Sequence, residues 1–156
     1  ASGAPTDAQA VVRSFEPDGG RIILPRANAQ GVFELGGLVP GRYDVAASAS
    51  NGGFGLLRSI EVTAGETRDV RVELEPGARV RIRYAGPWPN VGASVMVGDA
   101  IVATDGVKKG MELVLAAPAG DVVVRVRNWV ENVEFDLPLK LKASETREVV
   151  FDGAWQ

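Results

Sequence analysis

The chain has 156 residues, with 17 Lys and Arg against 20 Asp and Glu, a net charge of −3, 46% hydrophobic residues, and neither cysteine nor histidine. This excludes disulfides, thiolate nucleophiles, zinc held by cysteine or histidine, and every triad that uses imidazole as its base. The charge balance offers no clustered basic surface for nucleic acid, and no apolar run approaches the roughly 18 residues of a membrane-spanning helix.

Nineteen glycines and nine prolines point to many turns between short strands. Residues 1–8, Ala-Ser-Gly-Ala-Pro-Thr-Asp-Ala, have almost no β-forming character. The chain opens at Ala1 without an initiator methionine or a signal peptide, so a processed chain or an excised fragment is expected. From Gly31 onward apolar residues alternate, with Phe33 and Leu35 before a Pro40-Gly41 turn and Tyr43, Val45 and Ala47 after it. Ile60 and Val62 continue the pattern, and Val70, Val72 and Leu74 close it. Glu75-Pro76-Gly77-Ala78 is a short, stiff connection.

The second half is cleaner. Arg79-Val80-Arg81-Ile82-Arg83-Tyr84 alternates strictly and predicts a strand with Val80, Ile82 and Tyr84 inside. A loop at 85–90 leads to strands at about 91–97 and 100–104, joined by Gly98-Asp99, and Asp105-Gly106 is expected to open the next turn. Met111, Leu113 and Leu115 alternate in a further strand, as do Val122, Val124 and Val126 beyond Pro118-Ala119-Gly120. A strand at about 133–142 and one near 146–152, carrying Val149 and Phe151, complete seven.

The two halves repeat. Adding 79 carries Gly31 to Gly110, Gly41 to Gly120, Val45 to Val124, and Ala64-Gly65-Glu66-Thr67-Arg68 to Ala143-Ser144-Glu145-Thr146-Arg147. Before residue 31 the match weakens, although Gly19 and Ile22 still fall on Gly98 and Ile101. A period of this size means two copies of one small domain, at 1–76 and 77–156. The expected fold is all-β, two tandem Greek-key β-sandwiches, with no counterpart in copy one of the arginine-rich first strand.

Gly31-Val32-Phe33-Glu34-Leu35-Gly36-Gly37-Leu38-Val39-Pro40-Gly41-Arg42-Tyr43-Asp44-Val45 resembles the G-x-F-x-L-x-x-L-x-P-G-x-Y-x-V hallmark of carboxypeptidase regulatory-like domains. Gly31, Phe33, Leu35, Pro40, Gly41 and Tyr43 carry the likeness, and the second copy keeps Pro118 and Gly120 but not the aromatics. The resemblance implies prealbumin-like (transthyretin-like) sandwiches with no catalytic residue and no cofactor. It also implies an accessory role on peptidases, receptors, adhesins or large bacterial surface proteins, outside the cytoplasm. A related family forms a Lys–Asn isopeptide bond. Residues 1–107 hold no lysine, and Lys108, Lys109, Lys140 and Lys142 lie off the first strand of copy two, which disfavours that chemistry.

Strand parity puts loops 85–90, 104–109 and 128–132 at one end of copy two, gathering Trp88, Lys108, Lys109, Asn128, Trp129 and Asn132. Exposed indoles beside amides can hold a sugar ring, although both tryptophans also suit packing on their own sandwich. Arg79, Arg81 and Arg83, with Arg125 and Arg127, could meet an acidic partner or an anionic polysaccharide; cross-strand pairing with Asp and Glu is the favoured reading. Asp99, Asp105 and Asp121 lack the dense spacing of a calcium loop, and turn chemistry accounts for them. Trp155 is expected either to pack on whatever follows it in the intact protein or to fray. Three roles follow: a non-enzymatic spacer, adhesion or assembly module bound to neighbouring domains or a surface protein; a carbohydrate-binding module; or an accessory folding domain of a peptidase.

Overall fold

The computed structural model describes residues 8–14 and 22–155. The protein is all-β, with no helix among the described residues. Its strands are β1 (Ala8–Ser14), β2 (Ile22–Ile23), β3 (Gly41–Ala49), β4 (Gly53–Val62), β5 (Glu75–Pro76), β6 (Ala78–Tyr84), β7 (Asn90–Val97), β8 (Ala100–Lys108), β9 (Glu112–Ala117), β10 (Gly120–Asn128), β11 (Val133–Leu141) and β12 (Thr146–Phe151). Two compact units, Ala1–Glu75 and Pro76–Gln156, divide the chain.

Unit 2 is built from two sheets, a four-stranded one ordered β11-β10-β7-β8 and a three-stranded one ordered β12-β6-β9. In the second, β6 runs parallel to β12 and antiparallel to β9. Alternation decides what goes inside. Val80, Ile82 and Tyr84 of β6, Val95 of β7, Val124 and Val126 of β10 and Phe151 of β12 are all fully buried. Each such side chain contributes about 1.5–3 kcal/mol. Phe135 of β11 meets Phe151 of β12 at 5.1 Å between ring centroids, so one core joins the two sheets.

The described residues of unit 1 form one sheet, ordered β2-β1-β3-β4-β5. Its first four strands stand in the same order as β8-β7-β10-β11, and β3 and β10 differ by 79 at both ends (120 − 41 and 128 − 49). The agreement reaches single pairs. Val12 lies opposite Val45 as Val95 lies opposite Val124, and Ile22 opposite Arg13 as Ile101 opposite Met96. Val12, Tyr43 and Val45 form the buried centre, with Ile23, Phe33, Leu35, Leu38, Ile60, Val62 and Val72 packed around it.

Several expectations need correction. Asp105 and Gly106 do not turn the chain; they sit inside β8 opposite Ala93 and Gly92. Ladder pairing with the start of β7 overrides their turn chemistry, and the turn falls at Lys109 and Gly110, where Gly110 has φ 79°. Met111 belongs to that turn and is 59% exposed rather than inward. Phe33 and the run Val70–Leu74 lie outside any strand. In unit 2 the matching segments, β9 and β12, are both held by β6 between them. The expectations placed on residues 1–7 and on Gly19 fall outside the described residues.

Candidate functional site

At one end of unit 2 the loops after β6 and β8 are bonded to each other, and Trp129 of the loop after β10 lies over Gly92 of β7. Lys109 donates its backbone N–H to Pro89 O at 3.0 Å, and Gly110 donates to Tyr84 O at 2.8 Å. Trp88 is half-buried and turned to the core. Its N–H donates to Tyr84 Oη at 3.0 Å, and that hydroxyl donates to Trp88 O at 3.0 Å. Its ring lies 6.1 Å from Phe135. Burial pushes the Tyr84 hydroxyl above its ordinary value, with the bond to Trp88 opposing.

Trp129 differs. It is 64% exposed, and its indole lies over Gly92, where any Cβ would collide with it. Glycine at 92 thus provides a flat seat on the strand for an aromatic ring. Asn128 builds the turn beneath: its Oδ1 accepts N–H groups from Val130 at 2.9 Å and Glu131 at 3.3 Å. At 5% exposure Asn128 is spent on that turn, which removes it from a sugar-binding set. Asn132 takes φ 52° to finish the hairpin. Val130 is 94% exposed at the tip. Lys108 ends β8 and Lys109 begins the turn, both exposed. Trp88 and Trp129 therefore serve different surroundings, one anchored to an inward phenylalanine and one seated on a glycine.

The arginines divide between two sheets, Arg79, Arg81 and Arg83 on β6 and Arg125 and Arg127 on β10. Arg81 pairs with Glu148 at 2.9 Å and Arg83 with Glu112 at 3.0 Å. Arg125 bonds Asp136 through Nε at 2.7 Å and Nη2 at 2.8 Å, and both Arg125 and Arg127 reach Glu134 at 3.3 Å. Hydrogen bonding from Arg125 holds the Asp136 carboxyl below its ordinary value. These are cross-strand pairs of the kind that stabilise a sheet. The three aspartates also separate: Asp105 lies within β8, Asp121 within β10, and Asp99 in the turn between β7 and β8. Among the described residues no group of three or more acidic side chains could hold a metal ion.

Sequence reasoning missed two features. Asp44, 2% exposed, sits at a bulge between β3 and β4, where its carboxylate accepts the Ser59 N–H at 2.9 Å and pairs with Arg58 Nε at 3.1 Å. Ser59 takes φ 57° there. The repeat replaces these residues with Val123, Leu137 and Pro138, and β10 and β11 run without a bulge. The second feature is an aromatic run in which Phe151 contacts Tyr84, Phe135 and Trp155, the last at 4.9 Å. Trp155 is thus bridged back to Phe151 rather than frayed.

No protein-family model matches the chain, and no curated protein matches it. Among solved structures, the Bacillus anthracis TIE protein is similar over 95% of this chain and 31% of its own, with 13% identity and a TM-score of 0.41. The chain spans about a third of that structure's length, and a likeness at this level carries no argument about function.

Proposed function

We propose that the chain is a non-enzymatic structural and interaction module of a larger exported or cell-surface bacterial protein, acting in spacing, adhesion or assembly. On this reading it is a tandem pair of carboxypeptidase regulatory-like, prealbumin-like domains with Greek-key connections. Its partners are neighbouring domains or another surface protein. The supporting observation is the duplicated frame: one four-strand order and one pairing register occur in both units. Arg81, Arg83 and Arg125 of unit 2 pair with Glu148, Glu112 and Asp136 within its sheets, as suits a scaffold. Antibodies against the chain should label intact cells of the source organism. Labelling that appears only after lysis would contradict the reading.

A second reading, carbohydrate binding, draws on the seat of Trp129 over Gly92, since an exposed indole face covers the C–H groups of a sugar ring. Glycan titration should then change tryptophan fluorescence in the native chain and in Trp88→Phe, but not in Trp129→Ala. Equal responses in all three would exclude a site at Trp129.

A further inference from the structure

The asparagines at 28, 51, 90, 128 and 132 are followed by Ala29, Gly52, Val91, Trp129 and Val133. Only Asn51 precedes a glycine. It stands, exposed, in the turn between β3 and β4. Its Oδ1 accepts the Gly53 N–H at 3.0 Å, and Gly52, at φ 91°, donates its N–H to Ala49 O at 2.9 Å. Two features bear on the chemistry of this amide. The donor at Oδ1 draws charge from Cγ and stands where negative charge collects when a nucleophile adds there. The lack of a Cβ at Gly52 leaves its backbone nitrogen open to approach. Asn28 and Asn128 share the first feature and lack the second. Asn28 Oδ1 accepts from Gln30 and Val32, both at 3.0 Å, and Asn128 Oδ1 from Val130 and Glu131, but Ala29 and Trp129 follow them. Asn128 is in addition only 5% exposed.

We propose that Asn51 is a self-modifying site, where the chain's own backbone converts the asparagine into isoaspartate and aspartate. Local opening of the exposed turn frees the Gly52 N–H from Ala49 O. The Gly53 donor belongs to the same three residues and moves with them. Gly52 N gives its proton to solvent and attacks Asn51 Cγ. The N–Cγ bond forms, the Cγ–Nδ2 bond breaks, and Nδ2 takes a proton from solvent and leaves as ammonia. Water then opens the cyclic succinimide. Attack at Asn51 C leaves the chain running through Cγ, as isoaspartate, and attack at Cγ restores the ordinary chain, as aspartate. Either product carries a negative charge, and isoaspartate lengthens the main chain of a turn that holds buried Phe54 opposite Ser48. Gly53 leaves little slack there, since a Cβ on it would lie 3.1 Å from Leu74 Cβ. In unit 2 the same place is Val130 (130 − 79 = 51), so this chemistry is confined to unit 1.

The test is a time course of the native whole chain in mildly alkaline buffer, read by peptide mapping with mass spectrometry, with isoaspartyl methyltransferase labelling to count isoaspartate. Asn51 should convert first, about tenfold or more faster than Asn28, while Asn128 keeps its amide. The rate should rise with pH, because the attacking nitrogen must lose its proton. Gly52→Ala is strained at φ 91°, so that variant is compared with the native sequence in urea, where the turn no longer matters. There it should slow conversion of Asn51 by about tenfold. The proposal is overturned if Asn51 keeps its amide throughout, if Asn28 or Asn128 converts as fast, or if Gly52→Ala in urea converts at the native rate.

Discussion

Units 1 and 2 share a sheet and differ in what covers it. In unit 2 the sheet β11-β10-β7-β8 faces a second, three-stranded sheet across a closed core. In unit 1 the segments 33–38 and 67–72 bring side chains to the corresponding sheet and, among the described residues, form no strand. A second layer therefore needs more than apolar residues at alternate positions. It needs a central strand to satisfy the backbone of the outer two, and β6 has that role in unit 2. Among the described residues of unit 1, Phe33 and Leu35, which carry the family-like motif, pack against the sheet as irregular chain.

Matched substitutions probe this difference. The largest effect is expected at Tyr84, fully buried and bonded twice to Trp88. Tyr84→Ala should cost about 3–5 kcal/mol, against about 1.5–3 kcal/mol for Tyr43→Ala beneath its thinner cover. All three tryptophans, at 88, 129 and 155, belong to unit 2, so urea unfolding followed by tryptophan fluorescence reports that unit and far-UV circular dichroism reports both. Equal costs would mean the two cores are equally closed.

Next comes Gly55, whose Cβ would collide with the backbone carbonyl of Glu73 and with Val72. Gly55→Ala should push that segment off β4 and cost about 1–3 kcal/mol, seen by circular dichroism and not by tryptophan fluorescence. A loss in the tryptophan signal would contradict its confinement to unit 1.

Acid should weaken unit 2 by a smaller amount. Asp136 is held below its ordinary value by hydrogen bonding from Arg125, and Glu145 by the Lys142 N–H and then Arg147. Folded values below unfolded ones mean that this stabilisation is complete above the ordinary values of 3.8 and 4.5 and is lost as pH falls through the lowered ones. The tryptophan-monitored urea midpoint should decline below about pH 4.5, and less steeply in Arg125→Met. The opposite limb belongs to Tyr84, whose raised value makes stability complete below its ordinary 10.0 and declining above it. Smallest is Gly92→Ala, which should unseat Trp129 and shift its emission to the red for less than about 1 kcal/mol of stability.

Much of unit 2 was legible because its inward positions alternate strictly with charged ones, as in β6, where each arginine stands between buried neighbours. The end of β8 was not, since Asp105-Gly106 has the composition of a turn and only pairing with Ala93 and Gly92 keeps it extended. The strand β1 was hidden for two reasons. Ala10-Val11-Val12 is a continuous apolar run, and Val12 matches Val95 at a spacing of 83 where Val45 matches Val124 at 79. Strand parity brought out the contact of the loops after β6 and β8, where Lys109 bonds Pro89 and Gly110 bonds Tyr84. Which tryptophan stays outside was not legible, because that depends on Gly92 lying open beneath Trp129. Asp44 looked like an ordinary strand residue, and nothing in its neighbours announced the bulge it holds.

Native-state hydrogen exchange on the whole chain tests the central difference most directly. Amides in 79–84, 112–117 and 146–151 should exchange only through global opening of unit 2, and those in 33–38 and 67–72 near the rate of unstructured chain. Protection of 33–38 and 67–72 equal to that of β9 and β12 would contradict the account, because it would mean that unit 1 already holds a complete second sheet.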